Sequence, residues 1–130
     1  MIGLDTNVLV RYIAQDDMVQ SGRATLLIES LTEDNPGFVS QIVLVELVWV
    51  LKRAYHLDRR GILQVLRKLL QTASLVVENS SMTAQAVRLY ASGNADFADC
   101  LALHAARAAG CEQTWTFDSL AARDAGMNLL

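Results

Sequence analysis

Four acidic residues stand where an apolar segment of the chain ends or is interrupted. Asp5 follows Met-Ile-Gly-Leu, Glu46 interrupts the apolar run at 42–51, Asp99 lies in Ala-Asp-Phe-Ala-Asp-Cys-Leu, and Asp118 follows Trp-Thr-Phe. Carboxylates are seldom buried without a partner, because removing an ion from water is costly. Four such placements in one chain indicate a shared partner, and a divalent cation is the simplest one.

The expected repulsion between these carboxylates supports a cation. At an effective dielectric near 20, two carboxylates ~5 Å apart repel by roughly 3 kcal/mol, so four in one pocket cost on the order of 10 kcal/mol. Proton uptake or a bound cation must relieve that cost. An all-oxygen site suits Mg²⁺ or Mn²⁺ rather than zinc. Such ions activate water and neutralise charge on a phosphodiester, which indicates phosphodiester hydrolysis.

Polar residues beside the acids are candidates for supporting roles. Thr6, Asn7 and Thr116 could donate or accept hydrogen bonds that fix the carboxylates, or could be ordinary turn and cap residues. Arg11 lies one helical turn beyond Asn7 and is a candidate contact for substrate phosphate.

Each acid also has a structural interpretation. Asp5 and Asp118 could each end a strand or cap the next helix. Asp96 is a candidate N-cap, and Asp99 then occupies the capping-box position three residues later. Glu46 is the hardest to explain structurally, because its predicted helix offers little polar surface.

Hydrophobic periodicity predicts short strands alternating with helices. Strands are predicted at 1–5, 38–39, 75–77, 113–117 and 129–130. Helices are predicted from Thr6 or Asn7 to the Asp16-Asp17 pair, then at 20–31, 40–55 with Ser40 as N-cap, 58–72, 81–91, 96–109 and in a short segment ending near Gly126. The helix at 40–55 is apolar on nearly every face, so it is expected at the centre of the core.

This alternation predicts a single α/β domain over residues 1–130, with a parallel β-sheet flanked on both faces by helices. In open sheets of this kind ligands bind beyond the carboxyl ends of the strands. Helix N-termini pack at the same edge, so the four acids are expected to converge there.

Composition narrows the class of protein. Hydrophobic residues make up 52% of the 130 residues, which predicts a compact fold. The chain has neither a membrane-spanning apolar run nor a signal-peptide pattern at its N-terminus. Free thiols at Cys100 and Cys111 in a reducing cytoplasm are therefore expected. These cysteines are predicted to be core residues, and His56 and His104 ordinary helix residues.

The net charge of −3 argues against a surface that attracts nucleic acid everywhere. A basic run nevertheless comprises Lys52, Arg53, Arg59, Arg60, Arg67 and Lys68. This run is either a solvated helical face or a local patch that steers a polyanion towards the acidic site.

Four blocks of sequence together resemble a known family. They are Leu-Asp-Thr-Asn-Val-Leu-Val-Arg-Tyr (4–12), Val-Glu-Leu-Val-Trp-Val-Leu (45–51), Ala-Asp-Phe-Ala-Asp-Cys-Leu-Ala (95–102) and Thr-Phe-Asp (116–118). In this order they resemble the PIN-domain nucleases, and most closely the VapC toxins of bacterial toxin–antitoxin pairs.

The resemblance implies a Mg²⁺- or Mn²⁺-dependent endoribonuclease that cuts a tRNA or ribosomal RNA loop. It places Asp5, Glu46, Asp99 and Asp118 at the metal-binding positions, with Asp96 at an additional acidic position of this subgroup. It also implies a homodimer, neutralised by a VapB-type antitoxin whose C-terminal segment covers the acidic site.

Other functions fit less well or remain open. A haloacid-dehalogenase-type phosphatase needs a second aspartate where Asn7 stands, and a response-regulator receiver needs a lysine after a late strand, where none occurs. A PIN nuclease with a housekeeping role in RNA processing remains an alternative. So does a catalytically silent module that binds a structural cation and RNA.

Overall fold

The computed structural model describes residues 1–130, in which seven helices alternate with five short strands. The strands are β1 (Ile2–Gly3), β2 (Gly37–Val39), β3 (Leu75–Val77), β4 (Trp115–Thr116) and β5 (Asn128–Leu129). The helices are α1 (Thr6–Ala14), α2 (Met18–Glu29), α3 (Gln41–Arg53), α4 (Arg59–Gln71), α5 (Ser80–Ser92), α6 (Phe97–Ala108) and α7 (Ser119–Ala125). The predicted α/β class is confirmed.

All strand pairs are parallel, as predicted, and they form two sheets. One sheet has the order β1-β2-β3, with Gly37 paired to both Ile2 and Leu75. The other consists of β4 and β5, with Trp115 paired to Asn128. The prediction of a buried strand at 1–5 is wrong in extent, because β1 has two residues and both are exposed. Only Leu4, directly after β1, is buried.

The chain divides into two compact units. Unit 1 comprises Met1–Glu78 and unit 2 comprises Asn79–Leu130. Each unit contains its own parallel strand pairing and its own set of packed helices.

In unit 1, α1 packs against α2 and α3, and α4 packs against β3. The least exposed core residues are aliphatic side chains from β2, α3 and α4, namely Val39, Leu47 and Ile62. Leucine side chains pack closely around Gly37 at the centre of the sheet, where a Cβ would lie 2.7 Å from Leu4 Cδ1 and 2.8 Å from Leu31 Cδ1. A larger residue at this position would therefore require these leucine side chains to move.

In unit 2, α6 packs against both α5 and α7. The rings of Tyr90 and Phe97 meet edge to face, with centroids 5.8 Å apart, and Cys100 is fully buried. Gly126 ends α7 with a φ of 87°, a left-handed conformation that glycine adopts without steric cost. The chain then enters β5, which pairs with β4.

Side-chain caps fix several helix starts where the sequence predicted them. Ser40 Oγ accepts from the Val43 backbone N–H at 3.2 Å, and Asp58 Oδ1 accepts from that of Gly61 at 2.8 Å. Asp17 caps α2 in the same way by accepting from Gln20 N at 2.8 Å. Helix α2 therefore begins at Met18, two residues before the predicted start.

Helix α3 departs from its predicted place at the centre of the core. One face, with Leu44, Leu47 and Leu51, is buried, but Ile42 is 78% exposed and Trp49 is 59% exposed. The apolar pattern alone cannot distinguish a helix buried on all sides from one with an exposed apolar face.

Two smaller predictions are also wrong. His56 lies between α3 and α4 with a φ of 55°, rather than in a helix. Cys111 is exposed, although both cysteines are free thiols as predicted. No helix of the chain has the length and hydrophobicity needed to cross a membrane.

Candidate active site

Asp5 occupies the N-cap position of α1, yet its side chain caps nothing. Its backbone carbonyl accepts from the Val8 N–H at 3.1 Å, while its carboxylate is exposed and accepts no hydrogen bond within the protein. An aspartate at this position usually bonds the N–H groups of the first turn. The capping interpretation of Asp5 is therefore not supported, and its carboxylate is available to a ligand.

The side chain of Asp118, in contrast, caps the N-terminus of α7. It follows β4 and accepts hydrogen bonds at Oδ1 from the backbone N–H groups of Leu120 at 2.8 Å and Ala121 at 3.4 Å. Its own N–H donates to Thr116 Oγ1 at 3.0 Å. These bonds hold the carboxylate in one orientation and leave Oδ2 outside the cap.

Asp96, Asp99 and Asp118 come together within unit 2. Burial raises the pKa of Asp99 above its usual value, and the negative charges of Asp96 and Asp118 raise that pKa further. Asp96 is the N-cap of α6 and accepts from the Phe97 N–H at 3.0 Å. The Asp99 carboxylate accepts no hydrogen bond, so the reciprocal bond of a capping box is absent. A half-buried carboxylate with two acidic neighbours needs a proton or a cation.

The four candidate ligands are more exposed to solvent than the sequence predicted. Asp5, Glu46 and Asp118 are exposed, and Asp99 is half-buried. Glu46 lies on the exposed face of α3 with Ile42 and Trp49, and it makes no hydrogen bond or ion pair. The expectation that burial forces these carboxylates to take a partner is therefore wrong. Asp99 is the exception, since its partial burial and the repulsion from Asp96 and Asp118 both disfavour its ionised form.

Thr6 and Asn7 begin α1 directly after Asp5. Thr6 is 1% exposed, and its Oγ1 is buried without a hydrogen-bond partner, whereas Asn7 is exposed. A buried hydroxyl without a hydrogen-bond partner in the protein costs about 1–3 kcal/mol.

Arg11 is held by a network that the sequence did not reveal. Its Nε donates to Gln20 Oε1 at 2.7 Å and its Nη1 to Asp16 Oδ1 at 3.2 Å. Tyr55 Oη donates to Asp16 Oδ2 at 2.6 Å, and this bond, followed by that from Arg11, lowers the pKa of Asp16. The sequence pattern identifies the Asp16-Asp17 pair only as a helix end. It does not predict the hydrogen bond between Asp16 and Tyr55, because the two residues are far apart in the chain.

Two cavities flank the α1–α2 pair on different faces. The arginine pocket, of about 320 Å³, has Asn7, Arg11, Gln20 and Arg23 as its polar lining. The apolar groove, of about 820 Å³, lies among α1, α2 and α4. Its lining includes Leu9, Tyr12, Ile13, Ile28, Val65 and Leu69, with Glu29 and Lys68 as charged members.

The donor set matches a hard cation in chemistry. The candidate ligands are all carboxylates, the oxygen donors that Mg²⁺ and Mn²⁺ favour. The structure holds no group of three or more acidic, histidine or cysteine side chains arranged to bind a metal ion. Asp5 and Glu46 belong to unit 1, and the other three acids belong to unit 2.

Comparison with known proteins identifies the family. The family model of the PIN domain matches residues 2–125, nearly the whole chain, so the chain belongs to the PIN-domain family. Among curated relatives, a VapC ribonuclease of Aquifex aeolicus is 26% identical over 114 residues, covering 88% of this chain and 84% of that protein. Among solved structures, the Mycobacterium tuberculosis toxin VapC20, described as cleaving the sarcin–ricin loop, aligns with a TM-score of 0.47 and 20% identity over 95% of this chain and 94% of that one.

Proposed function

We propose that this protein is a divalent-metal-dependent endoribonuclease that acts as the toxin of a VapBC-type toxin–antitoxin pair. Membership of the PIN family and the similarity to a VapC ribonuclease support the activity. The observation that carries the proposal furthest is the acidic cluster around Asp99, whose pKa is raised first by burial and then by the negative charges of Asp96 and Asp118.

Asp5, Glu46, Asp99 and Asp118 are the proposed ligands of Mg²⁺ or Mn²⁺, with Asp96 adding negative charge beside Asp99. When held by these carboxylates, such a cation would lower the pKa of a water and offset negative charge on the scissile phosphodiester. The free carboxylates of Asp5 and Glu46 can take up a ligand without breaking an internal bond. The α7 cap orients Asp118, and Thr116 positions the backbone from which Asp118 extends.

The buried Thr6 hydroxyl supports this use of the first turn of α1. Thr6 Oγ1 lies next to Asp5 in sequence and lacks a partner. We assign Thr6, Asn7 and Thr116 to positioning the carboxylates, because each is adjacent to one of them or bonded to its backbone.

A protein antitoxin of the VapB type is the proposed partner, since the curated relative is named as a VapC ribonuclease. The apolar groove suits one of its segments, because an amphipathic helix binds such grooves through side chains at helical spacing. Homodimerisation is proposed as well, and the exposed side chains of Ile42 and Trp49 mark a candidate interface on α3 that would compete with metal binding at Glu46 on the same face. A cytoplasmic location is also proposed, and the two free thiols are consistent with a reducing compartment.

The decisive experiment incubates the purified, antitoxin-free protein with total host RNA and Mg²⁺ or Mn²⁺, and maps new 5′ ends by sequencing. Cuts at one or a few sites are expected, and EDTA or Asp99→Asn should abolish them. Asp34→Asn, which neutralises an exposed acid in the loop before β2, is the matched control and should cut normally. Thermal melting of each variant separates lost activity from lost folding.

Other outcomes would redirect the assignment. If a folded protein that binds the metal makes no cuts, the catalytically silent binding module becomes the better assignment. If Asp99→Asn instead lowers the melting temperature sharply, the cation has a structural role.

A further inference from the structure

The arginine pocket contains none of the proposed metal ligands, and two arginines give it positive charge. Arg11 and Arg23 line it together with the amide side chains of Asn7 and Gln20, and no carboxylate is among its lining residues. Its volume of about 320 Å³ lies at the lower end of the range for small-ligand sites.

Arg11 is preorganised in this pocket. Gln20 and Asp16 each accept one of its five N–H donors, so three remain for a ligand. The Tyr55 hydroxyl holds Asp16 in turn and favours its ionised form. Because the guanidinium is already oriented, binding an anion there costs less side-chain entropy than ordering a free arginine.

Arg23 supplies the uncompensated charge. It is exposed and makes no hydrogen bond or ion pair with another residue. The pocket therefore combines one guanidinium that is hydrogen-bonded to the protein, that of Arg11, with one that is not, that of Arg23. A guanidinium suits a phosphate because it can donate hydrogen bonds to two phosphate oxygens at once.

We infer that the arginine pocket binds a backbone phosphate of the RNA substrate, outside the bond that is cut. This inference rests on the proposed function, because α1 starts at the proposed ligand Asp5. Six residues separate Arg11 from Asp5, about 9 Å along a helix axis. A polynucleotide bound at Asp5 carries further phosphates within this distance. The acidic residues of the protein's site repel the negative charge of the polynucleotide. The two arginines offset that repulsion.

The test measures RNA binding separately from cleavage. Labelled bulk tRNA is titrated with the Asp99→Asn protein at several salt concentrations, with and without Arg23→Gln or Arg11→Gln. Each arginine change should weaken binding by roughly tenfold and reduce the slope of log K against log salt by about 0.7 to 0.9. Arg88→Gln removes an exposed arginine of α5 and should change neither quantity. In the active protein, Arg23→Gln should raise KM more than it lowers kcat.

The outcomes distinguish this inference from the proposed function. If no variant cuts RNA but binding still depends on both arginines, the pocket assignment stands and the nuclease assignment falls. If the protein cuts RNA and the arginine variants bind and cut like wild type, the pocket assignment is overturned. It is also overturned if the variants lose antitoxin binding alone, because the pocket then recognises an acidic segment of that partner.

Discussion

At the scale of single residues, two aspartates at equivalent helix positions differ in the hydrogen bonds that their side chains accept. Asp5 and Asp118 both follow a strand and both occupy the N-cap position of a helix. Asp118 accepts two backbone hydrogen bonds, while Asp5 accepts none. An aspartate that leaves the local bonds unused is free for a ligand, so Asp5 has no capping role, whereas Asp118 has one in addition to its proposed role as a ligand.

Substitution of these aspartates should reveal the difference. Asp118→Ala should lower the free energy of unfolding by about 1 kcal/mol through loss of the cap, and Asp118→Asn should restore it because asparagine caps well. Asp5→Ala should change stability by less than about 0.5 kcal/mol. All three changes should abolish metal-dependent RNA cleavage.

Chemical denaturation and the RNA cleavage assay measure these effects together. A loss of stability in Asp5→Ala as large as that in Asp118→Ala would contradict the assignment of a free carboxylate to Asp5. Cleavage by Asp118→Asn at the wild-type rate would show that Asp118 is only a cap.

At the scale of elements, helix α6 carries both an acid and a base in altered environments. Asp99 lies in its first turn and His104 near its middle. Burial lowers the pKa of His104, and the positive charges of Arg107 on α6 and Arg88 on α5 lower it further. The folded protein therefore holds His104 neutral at a pH where the unfolded chain protonates it.

Stability should therefore depend on pH through His104. Its pKa is lowered in the folded state, so the unfolded state binds more protons between that pKa and the ordinary value of 6.5. The free energy of unfolding should fall as the pH drops below 6.5 and level off beneath the folded pKa. His104→Gln should remove this part of the pH dependence, as measured by denaturant titrations between pH 5 and 7.5.

The exposed His56 provides the control for that measurement. His56→Asn suits the left-handed backbone at this position and should leave the slope contributed by His104 in place. An unchanged pH dependence in His104→Gln would assign the effect to other groups.

Local chemistry determined which elements the sequence could predict. Ser40, Asp58 and Gly126 mark helix ends correctly, because caps and left-handed termini depend on neighbouring residues only. The two-residue strands and the bond between Tyr55 and Asp16 depend on residues far apart in the chain, which periodicity does not encode. Glu46 was predicted as a ligand from its apolar neighbours, but those on its own face of α3 are exposed rather than buried.

At the scale of the whole molecule, the exposed apolar face of α3 is typical of a surface that contacts another protein chain. Ile42 and Trp49 are seven residues apart and therefore lie on the same face of the helix. Arg53 lies over the Trp49 ring, with its guanidinium carbon 5.4 Å from the ring centroid. Large apolar side chains exposed together are characteristic of interfaces, and a second copy of the chain is the proposed occupant. Because Glu46 lies on the same face, a dimer formed here would exclude Glu46 from the metal site, so the oligomeric state also tests that proposed ligand.

Ile42→Lys should therefore convert a dimer into a monomer, because it places a charge in an apolar interface. Size-exclusion chromatography with light scattering measures the mass directly. Met18→Lys is the matched control, since Met18 is 95% exposed and lies on α2 rather than α3. A monomeric wild-type protein, or a dimer that Ile42→Lys leaves intact, would exclude this face.

The arginine pocket and the apolar groove beside α1 and α2 can be altered independently by mutation. Their linings share no residue, since the arginine pocket uses Asn7, Arg11, Gln20 and Arg23 and the apolar groove uses Leu9, Tyr12 and Ile28. If the proposed assignments of the pocket and the groove are right, substitutions in one lining would change RNA binding without changing antitoxin binding. Duplicated copies of such a gene would then be able to acquire new RNA targets while keeping the same antitoxin.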